Sequence, residues 1–401
     1  MFNIKKKFPW FDGYQWTWIL YILVAIVCWR LMYVRQLDNN FKIFRESFYH
    51  LKDQLNMYAG YPKAYHDYYY YGPLFGVFVL PFALLPESAG LLLWEIVNAL
   101  TLLVAVNLLP ISTRRKMQLL LLCAICFANS EFSTQFNAMI AAMIIISFLL
   151  VEEGKDTWAT LIIVVGALVK LYPVVGLAFF LFSRNKAKFA ISTIIWFVIF
   201  LVLPVPFTSK GFILTSYHQW FAALSFKTHL NHQFIARSQD MCIMGVVRDL
   251  AHNPNIPDLP FLIFGAIIFA VPLLRFSQFK SYKFRLQVLA NALIMVVIFS
   301  AGAESPTFII AVAGIFLWMM IQERPFTTRN IILIILLLVF TGLGVTDAMP
   351  MPFRRDVVGK YAITAWPCIA AWVIISYELL FKDFMTGQAL TAEKAVIAAG
   401  N

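Results

Sequence analysis

Long apolar runs recur from one end of this chain to the other, and they leave few architectures open to it. About 20 residues of helix cross the roughly 30 Å hydrocarbon layer of a bilayer, and any crossing segment must satisfy its own backbone N–H and C=O groups. Stretches at roughly 14–33, 88–110, 116–131, 137–151, 157–170, 171–183, 187–206, 258–275, 286–303, 306–321, 329–346 and 362–381 meet or approach that length. The expectation is an all-α polytopic membrane bundle of about twelve spans, forming one transmembrane domain over residues 1–401. Some runs, such as Leu171 to Ser183, are short for a full crossing, so half-helices that meet inside the bundle are also open.

A net charge of +11 would suggest nucleic acid in a soluble protein. Here the basic residues sit in short loops between apolar runs, which orientation in a membrane explains, and no nucleic-acid partner is expected. With Lys5, Lys6 and Lys7 inside, the groups Arg114/Arg115/Lys116, Arg184/Lys186/Lys188, Arg275/Lys280/Lys283/Arg285 and Arg324/Arg329 all fall on the same side. That holds only if the run from Gly72 to Pro86, about fourteen residues broken by Pro81 and Pro86, does not cross. The reading places both termini in the cytoplasm, with the protein in the cytoplasmic (inner) membrane and an uncleaved first span as anchor. Cys28, Cys123, Cys126 and Cys368 lie within apolar runs, so a disulfide framework is not expected and the CxxC reads as buried small hydrophobes.

The polar elaboration then gathers outside: a first outer loop at 34–87, the turn SEFSTQFN at 130–137, a long outer loop at 207–257 and the segment 347–360. In the first loop Phe41, Phe44, Phe48, Leu51 and Leu55 recur at spacings of three and four, opposite Lys42, Arg45, Glu46, Lys52 and Asp53. That pattern predicts an interfacial helix lying on the bilayer, followed by a partly inserted apolar run; together they make a shelf suited to a substrate with a greasy tail and a polar head.

Ionisable and polar groups at membrane depth need a reason to be there. Lys170, followed by Tyr172 and Pro173, either snorkels at a helix end or holds an anionic headgroup such as phosphate. Glu304 is either part of a turn before Pro306 or an acid at the outer end of a hairpin. Gln135 and Asn137 can hydrogen-bond sugar hydroxyls or cap a helix. Asp38, Asn39 and Asn40 are N-cap types before the flat helix, and Asp38 also stands where a general base for a hydroxyl nucleophile would be placed. His66 and Asp67, beside four consecutive tyrosines, offer a second base and a sugar-stacking surface, or an interfacial aromatic belt. The long loop adds His232, Arg237 and Arg248. Nothing matches a nucleotide-binding loop, a dinucleotide fingerprint, a HExxH or a serine elbow.

The order DNNFKIFRESFYHLKDQLNMY, YYYYGPLFGVFVLPFALLP, LLLWEIVN, FSTQFNAMIAAM, VKLYPVV and RSQDMCIMGVVR, from about residue 38 to 310, resembles the polyprenol-phosphate-mannose-dependent transferases of glycosyltransferase family 87. These are integral-membrane transferases of the GT-C class. The resemblance implies a GT-C fold whose first outer loop roofs the active site, a lipid-phosphate-linked sugar donor and an inverting transfer. It departs in two places. Family members typically carry an acid where Asn40 stands, and AGAESPTFII occupies the late segment where they often show tryptophan and paired histidines.

The expected activity is transfer of a mannose-like hexose or a pentose from a polyprenyl phosphate to a hydroxyl on a glycan or glycolipid acceptor at the outer face. Asp38 is the expected base, with Asp67 second, while Lys170 and a basic residue of the long loop neutralise the departing phosphate. No cofactor or metal is expected, because the leaving group is already a stabilised anion. A polysaccharide polymerase or ligase using diphosphate-linked donors, and a lipid-linked-sugar transporter or flippase, remain open as alternatives.

Overall fold

The computed structural model describes residues 13–232 and 239–385, and Arg237 lies outside them. Helices occupy every one of the apolar stretches, and no strand occurs among the described residues. Four helices are long and apolar enough to cross a membrane: Gly13–Arg35, Glu87–Leu108, Lys186–Phe207 and Ile363–Phe381. Six further apolar helices have only 10–17 residues, among them Asn137–Glu152, Asp156–Val169, Tyr172–Phe182 and Leu259–Leu274. Helix length therefore supports a helical membrane protein and does not carry the count of about twelve crossings.

The bundle is built around two helices. Every residue of Phe308–Met320 is buried, and Asn137–Glu152 buries most of its circumference, as all-round apolar helices should. Phe308–Met320 packs on Tyr282–Ile298, where a Cβ at Gly314 would lie 2.6 Å from the Ala290 carbonyl oxygen, so only glycine lets the two backbones approach. Peripheral helices look different. Lys186–Val202 buries only Phe189 and Ser192 and turns Ile191, Ile194, Ile195, Phe197 and Val198 outward, an apolar surface suited to lipid.

At one end of the bundle the basic loops close on one another. Arg285 pairs with Glu152 at 2.8 Å, Arg115 donates to the carbonyl of Met320 at 2.7 Å, and Arg329 lies 3.6 Å from Glu378. The candidate site lies at the other end, beneath the loop that joins Gly13–Arg35 to Glu87–Leu108.

That loop corrects one expectation. The amphipathic stripe does form a helix, Asn39–Lys52, but Phe41, Phe44, Phe48 and Leu51 are buried against protein, and Leu55 lies beyond the helix and is exposed. Their partners come from the Gly72 to Pro86 run, which folds as two short helices, Leu74–Phe78 and Leu80–Ala83, and buries Phe75 and Phe82 against protein. Phe44 meets Phe75 at 5.1 Å, Phe75 stacks on Phe136 at 5.1 Å, and Trp94 meets Phe82 at 5.0 Å. Aromatic pairs at these distances contribute about 0.5–1.5 kcal/mol each beyond the area they bury. The stripe was designed for a protein surface, and this aromatic knot holds the loop as a rigid roof.

Candidate active site

Under the roof lie two cavities that share a wall. The first, of about 440 Å³, is bounded by Asp67, Tyr68, Tyr70 and Tyr71 from the roof, Trp220, Leu224 and Lys227 from the helix Lys210–His232, and Lys170 and Tyr172. The second, of about 820 Å³, is bounded by Asn129, Ser133, Thr346, Asp347, Arg354 and Arg355. Asn40, Gln135 and Glu304 line both.

Each element delivers its residue for a local reason. The helix Asp156–Val169 stops because Pro173 cannot continue it, and Lys170 takes an extended conformation at its end. The turn at 130–137 bends sharply, with Thr134 at φ 49°, and the indole of Trp94 donates to its carbonyl at 3.0 Å. Asp67 holds φ 78°, a strained value for a residue with a Cβ. Glu304 precedes the short turn Ser305–Thr307, where its N–H donates to the Thr307 hydroxyl at 3.3 Å before Phe308–Met320 begins.

One hydrogen-bonded chain crosses the floor. Lys170 Nζ donates to Asn137 Oδ1 at 2.8 Å, Asn137 Nδ2 to Gln135 Oε1 at 2.8 Å, and Gln135 Nε2 to Glu304 Oε2 at 3.1 Å. Lys227 Nζ closes it on Glu304 Oε1 at 3.1 Å. Both ammonium groups also face aromatic rings: Lys170 lies 5.1 Å from the Tyr172 centroid and Lys227 lies 4.6 Å from that of Tyr70. Two cations and one carboxylate are thus joined through two amides, and of these five groups all but the buried Asn137 line a cavity with an aromatic wall. Desolvation among these neighbours raises the Asp67 carboxyl above its ordinary value, and Glu304 raises it further, while the Tyr68 N–H and Lys227 oppose the rise. Asp67 lines the first cavity and is itself exposed.

Of the residues expected from sequence, Asn40, Asp67, Gln135, Lys170, Tyr172 and Glu304 line the first cavity. Asn137 stands behind them as a fully buried link. Others fall elsewhere. Asp38 is buried with Lys42 at 3.0 Å, the i,i+4 pairing its place before a helix invites, and borders neither cavity. His66 is exposed, and Asn39 clamps its backbone through bonds of 2.6 and 2.7 Å. His232 is one step removed, bonding Asp258 at 3.2 Å, and Asp258 lines the cavity. Arg248 is 2% exposed and bidentate to Asp240 at 2.7 and 2.8 Å, tying the long loop down rather than facing substrate.

Sequence reading missed Lys227, Trp220, Arg354 and Arg355. A lone lysine in the aromatic run SYHQWFAALSFK was the available signal for the first. Among the described residues no group of three His, Cys, Asp or Glu side chains could hold a metal ion.

The family model described as Glycosyltransferase family 87 matches residues 69–300, more than half of the chain. No curated protein and no solved structure matches. The matched segment carries Asp67's neighbours Tyr70 and Tyr71, then Gln135, Asn137, Lys170 and Lys227, and ends just before Glu304.

Proposed function

Since this chain belongs to glycosyltransferase family 87 and is a helical membrane glycosyltransferase, we propose that it takes a sugar from a polyprenyl phosphate held in the first cavity. The acceptor hydroxyl reaches that sugar from the second cavity. The observation that carries this reading is the chain from Lys170 to Lys227: two ammonium groups flank an acid in a cavity walled by Tyr68, Tyr70, Tyr71 and Trp220.

The chemistry follows from these parts. Lys170 and Lys227 neutralise the lipid phosphate as it departs, and tyrosine faces stack on the sugar. Leu224, Leu262 and Phe299 line the same cavity, and Leu262 belongs to a helix that exposes Ile263, Phe264 and Ile267, a path for a prenyl tail into lipid. A mannose-like hexose or a pentose suits the space. An acid of the shared floor accepts the hydroxyl proton while the acceptor oxygen attacks the anomeric carbon opposite the phosphate, which inverts its configuration. Transfer needs two substrates to meet, and among the described residues only Asn40, Gln135 and Glu304 border both chambers.

The basic loops collect at the opposite end of the bundle. With that end in the cytoplasm of an inner membrane, the cavities open on the outer face. The test is purified protein in nanodiscs supplied with polyprenyl-phosphate mannose and membrane glycolipid extract. The expected products are a mannosylated acceptor of inverted configuration and polyprenyl phosphate. Release of a diphosphate, or movement of intact donor across the bilayer without product, would overturn the reading.

A further inference from the structure

We infer that Glu304 is the group that takes the acceptor proton, and that Lys227 keeps it occupied until a lipid phosphate enters the first cavity. This rests on the transfer reading above and adds to it a base and an order of binding.

Among the described residues Glu304 is the sole carboxylate bordering both cavities; Asp67 and Asp258 face only the first and Asp347 only the second. Asn40, on the same wall, donates its Nδ2 to the Ser133 carbonyl at 2.7 Å, a bond no carboxylate can make. Position 40 is therefore built for an amide donor, and proton acceptance at this wall falls to Glu304.

Both Glu304 oxygens are engaged. Gln135 holds Oε2, and its own orientation is fixed in turn by Asn137 and Lys170. Oε1 faces the Lys227 ammonium at 3.1 Å, and that contact lowers its basicity toward a hydroxyl proton and crowds its approach. That pair is movable. Each side chain is 20% exposed, and the lysine rides on a flexible stem from the helix Lys210–His232. A partly exposed pair of this kind is weak, whereas a phosphate offers the lysine several charge-assisted bonds.

A phosphate in the first cavity thus draws Lys227 off Oε1 and leaves the carboxylate open toward the second. The hydroxyl proton passes to Oε1 as the bond from acceptor oxygen to anomeric carbon forms. The bond from that carbon to the phosphate oxygen breaks, its electron pair leaves with the lipid phosphate, and Lys170 and Lys227 neutralise it. Donor binding precedes activation of the acceptor, which keeps the base from acting while the site lacks a sugar to transfer.

Binding of polyprenyl phosphate to the full-length protein in nanodiscs tests this without any acceptor. Glu304→Gln removes the charge that competes for Lys227 and should tighten binding about tenfold. Lys227→Gln should weaken it, and in that background Glu304→Gln should change affinity by less than about twofold. A damaged fold would weaken binding, so the direction separates the proposal from a structural role. In turnover, Glu304→Gln should lose at least about 100-fold while Glu304→Asp retains a measurable part. Glu304→Gln that binds no tighter, or turns over within tenfold of wild type, overturns the inference. Failure of the wild type to bind polyprenyl phosphate at all overturns the donor assignment instead.

Discussion

Gly72 is the joint between the tyrosine-rich roof and the turn that carries Lys170. Its N–H donates to the Val169 carbonyl at 3.1 Å, and its own carbonyl accepts the Tyr69 hydroxyl at 2.8 Å. A Cβ here would sit 1.9 Å from the Leu168 carbonyl oxygen and 3.2 Å from the Trp220 ring, whereas ordinary contact begins near 3.4 Å. Gly72→Ala must therefore push the roof back by roughly 1.5 Å, because the obstacle is helix backbone and not a yielding side chain. Overpacking of this kind costs about 1–3 kcal/mol, and the lost backbone bond adds about 1. The larger effect falls on geometry. Tyr70 and Tyr71 shift against Lys170, and a misplacement of about 1 Å in a site that works by positioning costs about 100-fold in rate. Thermal unfolding in detergent together with transfer from polyprenyl-phosphate mannose should show lower stability and a loss near that size. Gly211→Ala is the control, since a Cβ there meets nothing within 4 Å. Gly72→Ala with wild-type stability and activity within threefold of wild type would refute the claim that roof and floor are locked through this residue.

Three further outcomes follow from the same geometry. Arg248→Met strands the buried Asp240 carboxylate and should cost about 3–5 kcal/mol in denaturant unfolding, with a loss below about 1 contradicting its place as the clamp of the long loop. Asp67 has a raised folded pKa, so its contribution to stability is full below the ordinary carboxylate range and is lost as pH rises through the raised value. Asp67→Asn should therefore unfold at a higher temperature than wild type near pH 7 and at the same temperature near pH 3; equal shifts at both would contradict the assignment. Arg354 and Arg355 face the second cavity while paired with the exposed Asp347 and Asp356, pairs that an anionic acceptor can displace. Replacing both arginines by glutamine should raise KM for octyl glucuronide about tenfold and leave KM for octyl glucoside unchanged.

Much of this was legible in the chain. Apolar runs fixed the helices because a span must satisfy its backbone within itself, and the polar residues left over, Gln135, Lys170 and Glu304, proved to converge. Periodicity told that Phe41, Phe44 and Phe48 share a face but not what covers it; lipid and the aromatic rings of Phe75 and Trp94 impose the same spacing. Asp38 misled for a related reason. Its position before a helix is visible in sequence, while its turn inward to Lys42 depends on how that helix docks. Lys227 is not legible in the chain because its helix, Lys210–His232, shows no clean amphipathic pattern, so nothing local marks the face turned toward Glu304. Pairings between residues distant in sequence, such as Gln135 with Glu304, belong to tertiary packing and leave no periodic trace.

The most direct measurement is a cryo-electron microscopy map of the protein in a nanodisc with polyprenyl phosphate. Phosphate density is expected in the first cavity within hydrogen-bond reach of both Lys170 and Lys227, with Lys227 withdrawn from Glu304 and the prenyl tail leaving past Leu262. Phosphate bound instead at Arg354 and Arg355, or density outside both cavities with the Lys227–Glu304 pair intact, would contradict it.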